Sequence, residues 1–191
     1  MIYVINKFEK NPYPWCIEVD VTSKGSFKDL SPFYLGPIMW NDPITKSTRV
    51  CLRFENLWQY SKVYKQHQQL GPDFDAWQKN GFESNRAHRY PMGKGAKPLY
   101  SLWMGQKLDY IEARKKLYIP QYADLVIRTK SYALLYKWVV EGKDIVLRDF
   151  DGYNYKGVGI TLKEIVRNHR RPLGHAFVIK ALLTGGIDQM L

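Results

Sequence analysis

Arg49-Val50-Cys51-Leu52-Arg53-Phe54-Glu55-Asn56-Leu57-Trp58-Gln59-Tyr60-Ser61-Lys62 changes periodicity halfway along. Residues 49–54 read as a strand. From Glu55 the pattern is helical, with Leu57, Tyr60 and Tyr64 on one line, and the Gly71-Pro72 pair stops it after residue 70. The same mixture extends outward. Strands are expected at 2–6, 15–21 and 144–150. Helices are expected around 74–79, over 108–118 and, after a bend at Pro120, over 122–128 and 132–140. Thr161-Leu162-Lys163-Glu164 fits a capping box that opens a short helix. Pro172 opens a last helix that ends at Gly185-Gly186. Strands and helices do not alternate regularly. The expected fold class is therefore α+β, with a small mixed sheet packed with several helices in one domain over residues 1–191.

Composition narrows the class further. Apolar residues make up 45% and aromatics 15%, enough for a core and too many for a disordered chain. No run of about 18 apolar residues exists, and the start is too short in apolar residues for a signal peptide. Cys16 and Cys51 have neither metal nor disulfide-framework spacing, so reduced thiols in a cytoplasmic protein are expected. His67, His88, His169 and His175 show no ligand spacing, so neither zinc nor a zinc-deaminase site is expected. P-loop, GxSxG and GxGxxG patterns are absent. No metal and no cofactor is expected.

The net charge of +11 is uneven. Residues 1–85 carry ten basic and nine acidic side chains, residues 86–130 ten and three, and residues 131–191 nine and six. A basic middle segment attracts phosphates, so a polyanion, most readily DNA, is the expected partner. Within it, Arg89-Tyr90-Pro91-Met92-Gly93-Lys94-Gly95-Ala96-Lys97-Pro98 is a Gly-rich basic loop. Its backbone N–H groups, with Arg89, Lys94 and Lys97, suit a phosphate, and Tyr90 suits a base. A flexible surface loop would have the same composition. Arg170 and Arg171, ahead of the last helix, are further phosphate candidates.

Two groups carry candidate chemistry. On a helix, Glu55, Gln59, Lys62 and Gln66 share one face opposite the apolar line. That face is either a site or a solvated surface. In Arg148-Asp149-Phe150-Asp151-Gly152, strand alternation puts Asp149 and Asp151 on one side at a strand end. They read equally as catalytic carboxylates or as turn chemistry. His175 reads as a hydrogen-bonded core residue.

Ser31-Pro32-Phe33-Tyr34-Leu35-Gly36-Pro37 resembles the Ser-Asn-Phe-Tyr-x-x-Pro segment of the NADAR family of N-glycosidases. Glu55-Asn56-Leu57-Trp58-Gln59-Tyr60-Ser61-Lys62 resembles that family's Glu-His-x-Phe-Gln-x-x-Lys helix start. Ala113-Arg114-Lys115-Lys116 and residues 147–152 match later pieces loosely and in the same order. Where the family has a Trp-Gly pair near the late turn, this chain has Asp149-Phe150-Asp151-Gly152. The resemblance implies hydrolysis of an N-glycosidic bond, as in riboflavin-pathway intermediates or ADP-ribosylated guanine in DNA. It also implies a catalytic Glu55 with Lys62 nearby.

These readings combine into one expectation, a DNA glycosylase-like hydrolase that flips a modified base out of the stack. Glu55 with Asp149 or Asp151 would serve the reacting sugar, and Lys62, Gln59 or Arg53 the departing base. Trp58, Tyr34, Trp40 and Tyr90 would surround the base. Arg89, Lys94, Lys97, Arg114, Arg170 and Arg171 would hold the strand. Stripping ordinary bases would kill the host cell. Modified phage DNA is therefore the expected substrate and antiviral defence the expected role. The alternatives are an ADP-ribosyl-guanine hydrolase and a non-catalytic nucleic-acid-binding module.

Overall fold

A computed structural model of the chain describes residues 1–155, 157 and 159–191. The fold class is α+β. The described residues form two compact units, one of residues 1–31 and 122–191, the other of residues 32–121. No helix among them is long and apolar enough to cross a membrane.

The first unit is built on three parallel strands, β1 (Ile2–Asn6), β2 (Ile17–Asp20) and β8 (Ile145–Asp149), in the order β1-β8-β2. All three were legible as apolar runs. Their pairing was not, because β8 enters between its partners from the far end of the chain. Ile145, Val146 and Leu147 are all buried. The alternation expected along β8 therefore does not separate an inner from an outer face. A central parallel strand is covered on both sides.

Helix α7 (His175–Leu183) is the core helix of this unit. Phe177, Val178, Ile179 and Ala181 are fully buried, as expected of a helix that is apolar all round. Lys180 is buried too, and its ammonium donates to the Ile2 carbonyl and lies 4.7 Å from the Tyr155 ring centroid. The helix starts at His175, after Pro172 rather than at it. Helices α5 (Lys130–Val140) and α6 (Leu162–Arg167) belong to this unit too, and Thr161 caps α6 through the expected capping box.

The second unit holds two antiparallel sheets. One is a ribbon of β3 (Ile38–Asn41) and β4 (Thr48–Cys51), and the other joins β5 (Lys62–Val63), β6 (Tyr100–Trp103) and β7 (Gln106–Leu108). Helix α1 (Phe54–Tyr60) is shorter than its periodicity suggests. After Ser61 the chain pairs with β6, and sheet hydrogen bonds take over from helical ones. Helix α2 (Pro72–Glu83) is longer than expected and carries Pro72 in its first turn.

Helix α3 (Tyr110–Ala113), a π-helical turn over Arg114–Tyr118 and helix α4 (Ile119–Val126) run on without a break. Pro120, expected to separate two helices, instead lies inside the helical run, in the first turn of α4. Proline lacks an N–H, and the wider turn just before it alters the hydrogen-bond ladder that a proline would otherwise disrupt.

Asp149, the last residue of β8, is 2% exposed. Its Oδ2 accepts the Ala176 N–H at 3.1 Å and lies 3.1 Å from His175 Nδ1, while His175 Nε2 is 2.9 Å from the Val21 carbonyl oxygen. Its carbonyl accepts the Gly152 N–H at 3.2 Å, closing the Asp-Phe-Asp-Gly turn. A carboxylate so enclosed joins β8 to the positive end of α7. His175 is the hydrogen-bonded core residue its position suggests. Asp149→Ala should therefore lower unfolding stability by about 2 kcal/mol or more in urea titration, the scale of a lost buried charge-assisted hydrogen bond. A change under about 0.5 kcal/mol, the level of an ordinary surface substitution, would contradict this role.

Candidate functional site

Helix α1 is buried on nearly every side, and several of its buried residues are polar. Glu55 is 6% exposed, Asn56 0% and Gln59 8%. The solvated-face reading of Glu55 and Gln59 is thereby excluded. Glu55 lies in the first turn, where the helix dipole favours a negative charge, and its own N–H donates to the Pro32 carbonyl at 2.9 Å. The Ser-Pro-Phe-Tyr segment and the glutamate are thus adjacent at Pro32.

Gln59 relays between two charges. Its Nε2 donates to Glu55 Oε1 at 2.8 Å, and its Oε1 accepts from Lys62 Nζ at 2.7 Å. The Gln59–Lys62 contact forms although the helix ends at Tyr60: Ser61 still has the α-helical conformation, and Lys62 is the first residue paired with β6. Gln66 lies beyond, exposed, in a short 3-10 turn. Lys62 Nζ lies 4.8 Å from the centroid of the half-buried Trp58 ring. Burial lowers the Lys62 ammonium to about 8, and the nearby Glu55 carboxylate opposes that drop.

Around Trp58 the structure gathers residues that the sequence did not assign to one site. Tyr118 meets the indole edge-on at 5.1 Å, and Tyr110 lies 6.2 Å away. The Arg114 guanidinium stands 4.1 Å over the Tyr110 ring. Arg114 was expected among the strand contacts. It is 1% exposed, so it cannot reach a nucleic-acid backbone across the surface, and it belongs to the interior beside this aromatic group. The reason is local: Arg114 opens the π-helical turn, which places both it and Tyr118 among the buried positions.

The basic loop is tethered to the same helix. Asn56 Nδ2 donates to the carbonyls of Ser84 and Arg86, and its Oδ1 accepts the His88 N–H. Tyr60 Oη lies 2.6 Å from His88 Nδ1. At the far end the Leu99 N–H donates to the carbonyl of Val63, next to Lys62. Between these anchors Arg86, Arg89, Lys94 and Lys97 are exposed, as is Tyr90 beneath Arg89. Gly93 and Gly95 take left-handed φ values of 91° and 90°, which close the loop in conformations few other residues adopt.

The remaining expected residues fall elsewhere. Arg53 holds the loop root, its Nε donating to the Asn85 carbonyl at 3.0 Å. Tyr34 is exposed. Trp40 belongs to a separate aromatic cleft. Asp151 is half-buried in the β8 turn of the first unit, and Arg170 and Arg171 are exposed in that unit, Arg171 lying 4.7 Å from the Tyr153 ring centroid. Burial pushes the Cys51 thiol up to about 12, so it is no nucleophile. Among the described residues no group of three or more His, Cys, Asp or Glu side chains could hold a metal ion.

Residues 4–179 match the family described as a family of unknown function, DUF6939. No curated protein and no solved structure matches the chain.

The lowered Lys62 has a measurable consequence. Between pH about 8 and about 10 the folded chain binds fewer protons at this amine than the unfolded chain, so this residue makes stability rise with pH across that window. Lys62→Met should flatten that rise in urea unfolding measured at stepped pH. An unchanged slope would show that Lys62 titrates normally.

Proposed function

The chain belongs to DUF6939, whose function is unknown, and from its buried Glu55–Gln59–Lys62 relay we propose that it hydrolyses an N-glycosidic bond of a modified nucleotide in DNA. The relay is the observation that carries this reading. It links a buried carboxylate to a half-buried, acidic ammonium through one intervening amide, beside an indole. In the proposed step the C1′–N bond of the nucleotide breaks and a C1′–O bond to water forms. Glu55 faces the positive charge that develops on the sugar and takes the proton from the attacking water. Lys62 delivers a proton to the departing base. An ammonium near pH 8 is well matched to that role at neutral pH.

Asp149 is already engaged with α7 and His175, so the second functional group in this scheme is Lys62 rather than a second carboxylate. The basic loop between α2 and β6 supports DNA as the substrate, since its exposed Arg86, Arg89, Lys94 and Lys97 would neutralise phosphates from a segment tethered at one end to Asn56 of α1 and at the other to Val63 of β5. The resemblance of residues 31–37 and 55–62 to the NADAR N-glycosidases agrees with this chemistry. A reducing, cytoplasmic setting suits the two buried free thiols.

Wild type and Glu55→Gln are to be incubated with unmodified, glucosylated and ADP-ribosylated DNA, and the small products identified by mass spectrometry. A freed base that falls by about 10²–10⁴-fold in the variant is the expected result. Released ADP-ribose would instead identify an ADP-ribosyl-guanine hydrolase. Bound DNA without any small product would leave a binding module and overturn the catalytic reading. Separately, Lys94→Glu with Lys97→Glu should weaken DNA binding and reduce the slope of log affinity against log salt by about one per lost phosphate contact. An unchanged slope in a binding titration would remove the loop from the interface.

A further inference from the structure

The hydrolysis assigned to the relay leaves two reactive groups side by side. Lys62, having given its proton to the departing base, is an uncharged amine. C1′ of the sugar, having exchanged the base for water, is a hemiacetal carbon whose ring-opened form is an aldehyde. An amine and an aldehyde condense to an imine, and a desolvated lysine is the side chain suited to that chemistry.

The surroundings of Lys62 favour such a role. Its backbone is fixed at the start of β5 by pairing with Ser101 of β6. Its Nζ donates to Gln59 Oε1 at 2.7 Å and rests 4.8 Å from the Trp58 ring centroid. The Gln59 amide stands between this nitrogen and Glu55, and donates to the carboxylate at 2.8 Å. A direct ion pair would hold the proton on the amine, whereas an amide carries no net charge and lets it leave. Burial therefore prevails over the attraction of Glu55 and lowers Lys62 to about 8. The residue is only half-buried, so its amine is desolvated without being sealed from a substrate. The cysteines offer no rival nucleophile, because burial raises both thiols, Cys51 to about 12.

We propose that Lys62 Nζ is the nucleophile of a second step, in which the chain cuts the DNA strand at the abasic sugar left by the first. The amine adds to the C1′ aldehyde and loses water, which joins sugar and protein as an imine. The imine acidifies the hydrogen on C2′. Glu55, its first proton passed to solvent, takes the C2′ proton. The electron pair left behind forms the C2′–C3′ double bond and the C3′–O bond breaks. The phosphate departs as the 5′ end of one fragment. Water then hydrolyses the imine, which frees Lys62 and leaves an unsaturated aldehyde on the other fragment. No oxidant or reductant is consumed. The proposal rests on the hydrolase reading for the origin of its abasic sugar, but the step itself needs only the sugar.

The test therefore uses the full chain and a DNA strand with one abasic site prepared beforehand by excising a uracil. Sodium borohydride reduces an imine to a stable amine. Wild type is expected to give a covalent protein–DNA adduct that peptide mass mapping places on Lys62. Without borohydride it is expected to give the two cleaved ends. Lys62→Arg keeps the positive charge, but a guanidinium does not give up its proton, so adduct and cleavage are both expected to be lost. The melting temperature of that variant is checked, and the mapped wild-type adduct needs no variant. No wild-type adduct, an adduct mapped to another lysine, an adduct on Lys62 with the strand left intact, or cleavage that persists in Lys62→Arg each overturns the proposal. A base freed from modified DNA with no adduct at the prepared site leaves the hydrolase reading and sinks this one. Adduct and cleavage at the prepared site with no base freed from any modified DNA does the reverse.

Discussion

A buried carboxylate is the constraint on which the second unit depends. Removing Glu55 from water costs several kcal/mol unless its surroundings compensate it where it lies. Its own helix and a residue just after it supply part of that compensation. The dipole of the first turn favours the charge, Gln59 donates to it one turn on, and Lys62 is close enough for its own proton affinity to reflect the carboxylate. A hydrophobic residue at position 55 would pack without any of this. The polar series on an otherwise apolar short helix is therefore better explained by function than by stability, since replacing buried ion pairs with apolar groups is commonly neutral or stabilising.

The other residues of α1 organise what surrounds that charge. Asn56 spends its amide on the root of the basic loop, and Tyr60 closes on His88. Leu57 and Phe54 fill the core beneath. One seven-residue helix thus carries the carboxylate, the relaying amide and the anchor of the exposed cations. A charged loop with loose roots would only raise the local concentration of a polyanion. Fixed at Asn56 and Val63, it sets where a phosphate backbone would run relative to Glu55.

In the first unit a carboxylate solves a different problem. The N-terminal N–H groups of α7 lie in the core, where water cannot satisfy them. Asp149 reaches them from the end of β8 and pairs with His175 at the same time. Two carboxylates that the sequence offered as candidates are thereby separated by their partners. Asp149 meets a helix end and a core histidine, while Glu55 meets an amide relay that ends in a partly acidic ammonium.

The sequence alone determined what short-range physics governs. The runs at β1, β2, β4 and β8 were readable from apolar content, the Thr161 capping box from its spacing, and the grouping of Glu55, Gln59 and Lys62 from 100° per residue. The concentration of positive charge in residues 86–130 needed only counting. Contacts between distant segments were decided by the tertiary structure. Asp149 and Ala176 are 27 residues apart, and Asn56 and His88 are 32 apart. The end of α1 depended on a strand partner near residue 101, and the strands β3, β5, β6 and β7 gave too short a pattern to identify without their neighbours. Arg114 looked like one more surface cation, because in composition a buried arginine and an exposed one are the same residue. Only a π-helical turn, whose register no local propensity specifies, brought its guanidinium to the Tyr110 ring and out of reach of solvent.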